Sequence, residues 1–284
     1  MRNIMLAGFI AVVLLLVFGR PSFAAENAKD QPVTVSPEAL FATMLANAEK
    51  GQSQAMLNVG MFYEQGIGVS RNFSKALEWY QNAALAGAKE GYLRVGVCWE
   101  IGMGAAADMD KAVANYDKAA QMGMPQAQYK MASFYLMGRG VPKNGAAGFN
   151  LLKKAAEGGD GAAANELAVA YLKGMFGQKE DAAKAREWFL KSAKAGNLEG
   201  VKNFAVALKD GLGQKPDPAA ALCWYLIAQK GGLRSPDMKG ITDALKKKLQ
   251  PAQIIKAEEE ADKWLADFAA SARQKSAQQQ GQVR

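Results

Sequence analysis

The sequence predicts an all-α fold, a solenoid of about five antiparallel helix pairs, 36 residues per unit, closed by further helices at both ends. Three observations predict it. Gly51, Gly87, Gly123, Gly159, Gly196 and Gly232 recur at spacings of 36, 36, 36, 37 and 36 residues, the mark of a stacked repeat array. A small residue, at Gly60, Gly96, Ala132, Ala168 and Ala205, is followed three positions on by Tyr63, Trp99, Tyr135, Tyr171 and Leu208. That spacing puts both on one face of a helix. In the second half of each unit, Ala76, Ala112, Gly148, Ala185 and Ala221 precede Trp79-Tyr80, Asn115-Tyr116, Leu151-Leu152, Trp188-Phe189 and Trp224-Tyr225, again at helical spacing.

The elements follow in chain order. Residues 1–24 read as a secretory signal. Arg2 gives a positive start, residues 4–18 an apolar run too short for a spanning helix, and Pro21-Ser22-Phe23-Ala24 a small-x-small cleavage site. Residues 25–35 are expected to be a disordered leader. Ser36-Pro37-Glu38 starts a helix, with serine at the N-cap and proline at N1, so residues 36–50 form an N-terminal capping helix. Residues 51–232 hold the five units, each a helix A such as 53–65 and a helix B such as 73–86. The joint between them carries Gly66/Gly68, Gly102/Gly104, Gly138/Gly140 and Gly211/Gly213, widened by one inserted residue to Gly174 and Gly177 in the fourth unit. Glycine suits these helix ends because the left-handed backbone there disfavours a side chain. Residues 233–273 supply C-terminal capping helices, one opened by Ser235-Pro236-Asp237 and a longer one from Pro251 with an apolar stripe of Ile254, Ile255, Ala261, Trp264, Leu265 and Phe268. Residues 274–284, with the Gln278-Gln279-Gln280 run, are expected to be a disordered tail.

The string from Ala55-Met56-Leu57-Asn58-Val59-Gly60 through Tyr63, Gly66 and Gly68, followed by Lys75-Ala76-Leu77-Glu78-Trp79-Tyr80-Gln81-Asn82-Ala83-Ala84, resembles the Sel-one-like repeat, a relative of the tetratricopeptide repeat. The resemblance covers residues 51–232 and is weakest in the fifth unit, where Leu208 and Gln229 replace the usual aromatic and alanine. It implies an α/α superhelical solenoid with helices A on the concave side, and a role as adaptor or scaffold for protein complexes. Some cysteine-rich exported relatives are associated with β-lactam binding or hydrolysis, but their helix-linking disulfide has no counterpart in this sequence.

Composition narrows the chemistry. The 284 residues contain no histidine, which removes the usual general base and the commonest metal ligand. Neither a Gly-x-Ser-x-Gly elbow, a Ser-x-x-Lys pair nor a Walker loop occurs. Glu258, Glu259 and Glu260 point in three directions on a helix and read as solvated charge. No catalytic residue, cofactor or metal site is assigned. Cys98 and Cys223 fall on helices of the second and fifth units, too far apart to bridge, and read as buried thiols. Without Arg2 and Arg20, 33 basic residues face 27 acidic ones, a net charge of +6 with both signs scattered. That pattern, in an exported chain, argues against nucleic acid as partner.

In tetratricopeptide-like units the helix A residues one, four and five after the small column face the groove. By that resemblance the candidate partner-binding residues are Met61, Glu64 and Gln65; Val97, Glu100 and Ile101; Ser133, Leu136 and Met137; Val169, Leu172 and Lys173; and Val206, Lys209 and Asp210. Two readings stand for the apolar ones: an open groove, or packing between adjacent units that closes it. The expected function is an exported scaffold or adaptor, a cell-envelope regulator or assembly factor, monomeric and periplasmic or secreted, with an unidentified protein partner and no membrane span once the signal is removed. The alternatives are a cell-wall or polysaccharide binding scaffold and a hydrolase acting on cell-wall or β-lactam substrates.

Overall fold

The computed structural model describes residues 35–281; the expected signal and all but the last residue of the expected leader lie outside them. Among the described residues there are thirteen helices and no strand. Residues Val35–Glu258 form one compact unit, and residues 259–281, the second part of the last helix, belong to another.

Within Val35–Glu258, α1 (Pro37–Glu49) precedes five helix pairs: α2 (Ser53–Gln65) with α3 (Phe73–Leu85), α4 (Lys89–Ile101) with α5 (Met109–Gln121), α6 (Pro125–Met137) with α7 (Gly145–Glu157), α8 (Gly161–Leu172) with α9 (Ala182–Lys194), and α10 (Leu198–Asp210) with α11 (Pro218–Lys230). Then come α12 (Met238–Lys246) and α13, which starts at Pro251 and runs to Gly281. Each helix from α1 to α12 packs on its neighbours in sequence. Residues that touch are therefore mostly within one unit or the next, the order of contacts that defines a solenoid.

The repeated columns have separate physical jobs. Glycine closes helices A at Gly66, Gly102, Gly138 and Gly211, all left-handed with φ between 72° and 75°. A second column, one that the sequence reading overlooked, starts every helix B. Asn72, Asp108, Asn144, Asp181 and Asp217 each accept a hydrogen bond on the side chain from the backbone N–H three residues on. That satisfies an N–H that the helix itself leaves unpaired. The same five residues donate their own N–H to the carbonyls of Tyr63, Trp99, Tyr135, Tyr171 and Leu208. One column thus caps helix B and ties it back to helix A.

The joints also set the stacking distance. A side chain added at Gly68 would stand 2.0 Å from the Pro37 carbonyl oxygen, and one at Gly104 2.3 Å from that of Phe73, so each joint lies directly on the start of the preceding element. The fourth unit reverses the arrangement. Its longer loop puts Phe176 in the left-handed region at φ 58°, where a bulky residue is strained. The nearest approach to the bare Gly145, at the start of α7, is the Phe176 ring.

Two expectations need correction. The first of the C-terminal cap helices starts at Met238, past Ser235-Pro236, and Asp237 stands at its N-cap position without a side-chain hydrogen bond. The region predicted as a disordered tail is helical from Gln274 to Gly281. Residues 274–280 lack glycine and proline and consist largely of Gln, Ala and Lys, good helix formers that extend an existing helix without an apolar stripe.

Candidate binding face along helices A

All fifteen groove candidates lie on α2, α4, α6, α8 and α10 or in the residue closing α8, and none is fully buried. Met61, Val97, Ser133, Leu136, Val169, Leu172 and Val206 are half-buried, as are Glu64, Gln65, Glu100 and Lys209. Lys173 and Asp210 are exposed. Ile101 and Met137, 65% and 73% exposed, stand out because large apolar residues in equivalent positions of adjacent units are neighbours rather than scattered exceptions. Neither open groove nor closed packing describes the apolar row completely. Leu136, for one, lies over Gly148 of α7, where an added methyl would stand 2.6 Å from its Cδ2.

Side chains of successive helices A meet directly. Lys130 of α6 reaches Glu100 of α4 at 3.0 Å, and Arg139, just past α6, reaches the other carboxylate oxygen at 3.1 Å. Tyr129 donates to Glu166 at 2.5 Å, and Asn203 donates to Asn165 at 2.9 Å. The face is therefore a continuous strip from the second unit to the fifth.

Its two early acids are already engaged. Tyr80 of α3 donates its hydroxyl to Glu64 at 2.5 Å, and Tyr116 of α5 donates to Glu100 at 2.7 Å. Burial and then the carboxylate beside each hydroxyl push both phenols well above the usual tyrosine value. The Glu100 side chain is only 9% exposed. Burial pushes its carboxyl up, but the Tyr116 hydroxyl, the Lys130 ammonium and the Arg139 guanidinium together outweigh this and hold it below the usual carboxylate value. In the sequence Glu64 and Glu100 read as open contact points; Tyr80, Tyr116, Lys130 and Arg139 complete the arrangement and were not among the candidates. A signal for the pairing does exist in the repeat register. Where the helix A column reads Glu, at 64 and 100, the helix B column reads Tyr; where it reads Leu, at 136 and 172, the helix B column reads Leu152 and Phe189.

The cysteines lie elsewhere, in packed positions. Cys98 and Cys223 are both buried, and burial, reinforced by the Glu64 charge, pushes the Cys98 thiol up to about 12. A thiol so placed is a poor nucleophile at neutral pH. Among the described residues no cluster of three or more Cys, Asp or Glu could hold a metal ion, and no helix is long and apolar enough to cross a membrane.

A stack of near-identical helix pairs, joined by a capped and glycine-closed linker and presenting one strip of variable side chains, defines a repeat scaffold. A profile of the Sel1 repeat matches residues 53–87, 89–124, 125–160, 161–197 and 203–232, and the chain belongs to that family. It is similar to the crystal structure of a Sel1 repeat protein from Oxalobacter formigenes, with 26% identity over 80% of this chain and 94% of that one and a TM-score of 0.67. It shares its fold with a protective antigen of uropathogenic Escherichia coli, at 23% identity, 86% and 59% coverage and a TM-score of 0.51. No curated protein matches the chain. Sel1 repeat proteins generally mediate protein–protein interaction, and the scaffold is typically non-catalytic.

Proposed function

We propose that the chain is an exported adaptor of the cell envelope, periplasmic or secreted, that holds a segment of a protein partner along the helix A strip and acts as a monomer. The observation that carries this reading is the apolar row itself. Val97, Leu136, Val169, Leu172 and Val206 stay half-buried while Ile101 and Met137 project into solvent, on a face where helices A of successive units meet side chain to side chain. Packing does not use the projecting surface, and a bound segment would remove it from water at roughly 25 cal/mol per Å² of apolar area.

The test is crosslinking in living cells of the native chain beside an Ile101→Asp, Met137→Asp double variant. Both positions are exposed, so the variant is expected to keep its helicity and unfolding midpoint. Capture of a defined envelope protein by the native chain, lost from the folded variant, is the expected result. Equal capture by both would displace the site from this face. If the native chain captures no protein but is retained on purified wall polymer, the scaffold holds polysaccharide instead.

A further inference from the structure

The fifth unit breaks the pairing rule of the other four. Counting along the repeat, Tyr225 of α11 occupies the position of Tyr80 and Tyr116, while Lys209 of α10 occupies the position of Glu64 and Glu100. Tyr225 is 1% exposed, and among the described residues its hydroxyl has no hydrogen-bond partner. The third and fourth units avoid this condition by replacing tyrosine with Leu152 and Phe189. Tyr225 keeps a buried donor that nothing in its own unit satisfies, an arrangement unfavourable enough to need a reason. Lys209 is turned to its exposed neighbour Asp210. An exposed pair of this kind contributes little, which leaves the lysine able to change partners.

We propose that Tyr225 and Lys209 form a carboxylate site completed by the partner: an Asp or Glu side chain of the bound segment accepts the Tyr225 hydroxyl and pairs with the Lys209 ammonium. The site takes from outside the group that Glu64 and Glu100 supply from within. This rests on the adaptor reading and names the chemistry of its partner, an acidic segment. Charge along the chain is complementary to that choice. Residues 25–142 hold 10 basic and 11 acidic side chains, whereas residues 143–284 hold 23 and 16, net charges of −1 and +7. On the helix A face, Glu100 is matched by two cations, and the later Lys173 is exposed.

The experiment pans a random 12-residue peptide display library on the full chain, then measures the selected peptides against two variants. Enrichment of Asp and Glu is expected. Tyr225→Phe removes no charge and is expected to weaken binding about tenfold, the effect of one hydrogen bond to a charged group. Lys209→Glu gives the fifth unit the carboxylate of the first two; it is expected to raise the unfolding midpoint and abolish binding. Selection of no peptides, of basic or neutral ones, or of acidic ones that bind Tyr225→Phe unchanged would overturn the site. If Lys209→Glu does not fold, Tyr225→Phe still decides, since it deletes only the unpaired hydroxyl. In-cell capture that persists in Tyr225→Phe would leave the adaptor standing and remove this site alone.

Discussion

The first two units and the middle two solve the same packing problem in opposite ways. In units one and two a glycine, Gly60 or Gly96, lies beneath a tyrosine ring, and the tyrosine hydroxyl is paired with a glutamate that is itself paired with cations in the second unit. In units three and four the glycine becomes Ala132 or Ala168, the tyrosine Leu152 or Phe189, and the glutamate Leu136 or Leu172. The acid and the tyrosine leave together because a buried hydroxyl needs an acceptor, and in these two units the small column gains a methyl. The lesson is that consensus residues pack the stack, whereas the columns that switch in concert give each unit its own surface.

Several measurements would break or sharpen that contrast. Glu100→Ala should have the largest effect, since it strands a buried hydroxyl and two cations. Because Lys130 and Arg139 are 38% and 51% exposed, solvent screening reduces the loss from that of a fully buried pair to about 2–3 kcal/mol, measurable by urea unfolding. Combining Glu100→Leu with Tyr116→Leu, the third unit's pattern, should lose less than the sum of the two single changes; additivity would refute coupled columns. Gly60→Ala places a methyl 2.6 Å from the Tyr80 ring and should lose about 1–3 kcal/mol by overpacking. Asn144→Ala removes one helix B cap and should lose about 1 kcal/mol.

The smallest and most specific effect is in pH. Glu100 is held below its unfolded value, so its contribution is complete above about pH 4.3, the ordinary glutamate value, and is lost as pH falls through the lower folded value. Stability measured from pH 6 down to pH 2 should therefore fall less steeply in Glu100→Gln than in the native chain. Parallel curves would show that Glu100 does not titrate as the pairing requires.

Much of this architecture was legible because the repeat acts as its own alignment. The period of Gly51 to Gly232, the small and aromatic columns and the glycine joints all answer requirements that recur in every unit. The A-face candidates were legible as positions but not as chemistry. Glu64 and Glu100 read as free acids because their tyrosine partners sit 16 residues on, in another helix, and only the comparison of units one and two with three and four reveals the link. The helix beyond Gln274 was missed for a different reason. Propensity can extend a helix where no apolar periodicity marks it, and periodicity was the signal used to end it.

The exchange between Phe176 and Gly145 limits how the array could have grown. In the third unit a bare glycine in the loop, Gly140, meets the bulky Met109 side chain at the start of the previous helix B, whereas Gly104 lies on the Phe73 backbone and Gly213 on that of Ala182 and Ala183. The fourth unit carries the bulk in its loop and requires the bareness in its predecessor. Placed after the second unit, its phenyl ring would face Met109 in place of Gly145. The units are thus not interchangeable beads: a duplication or deletion that sets the fourth unit directly behind the second must repack that seam.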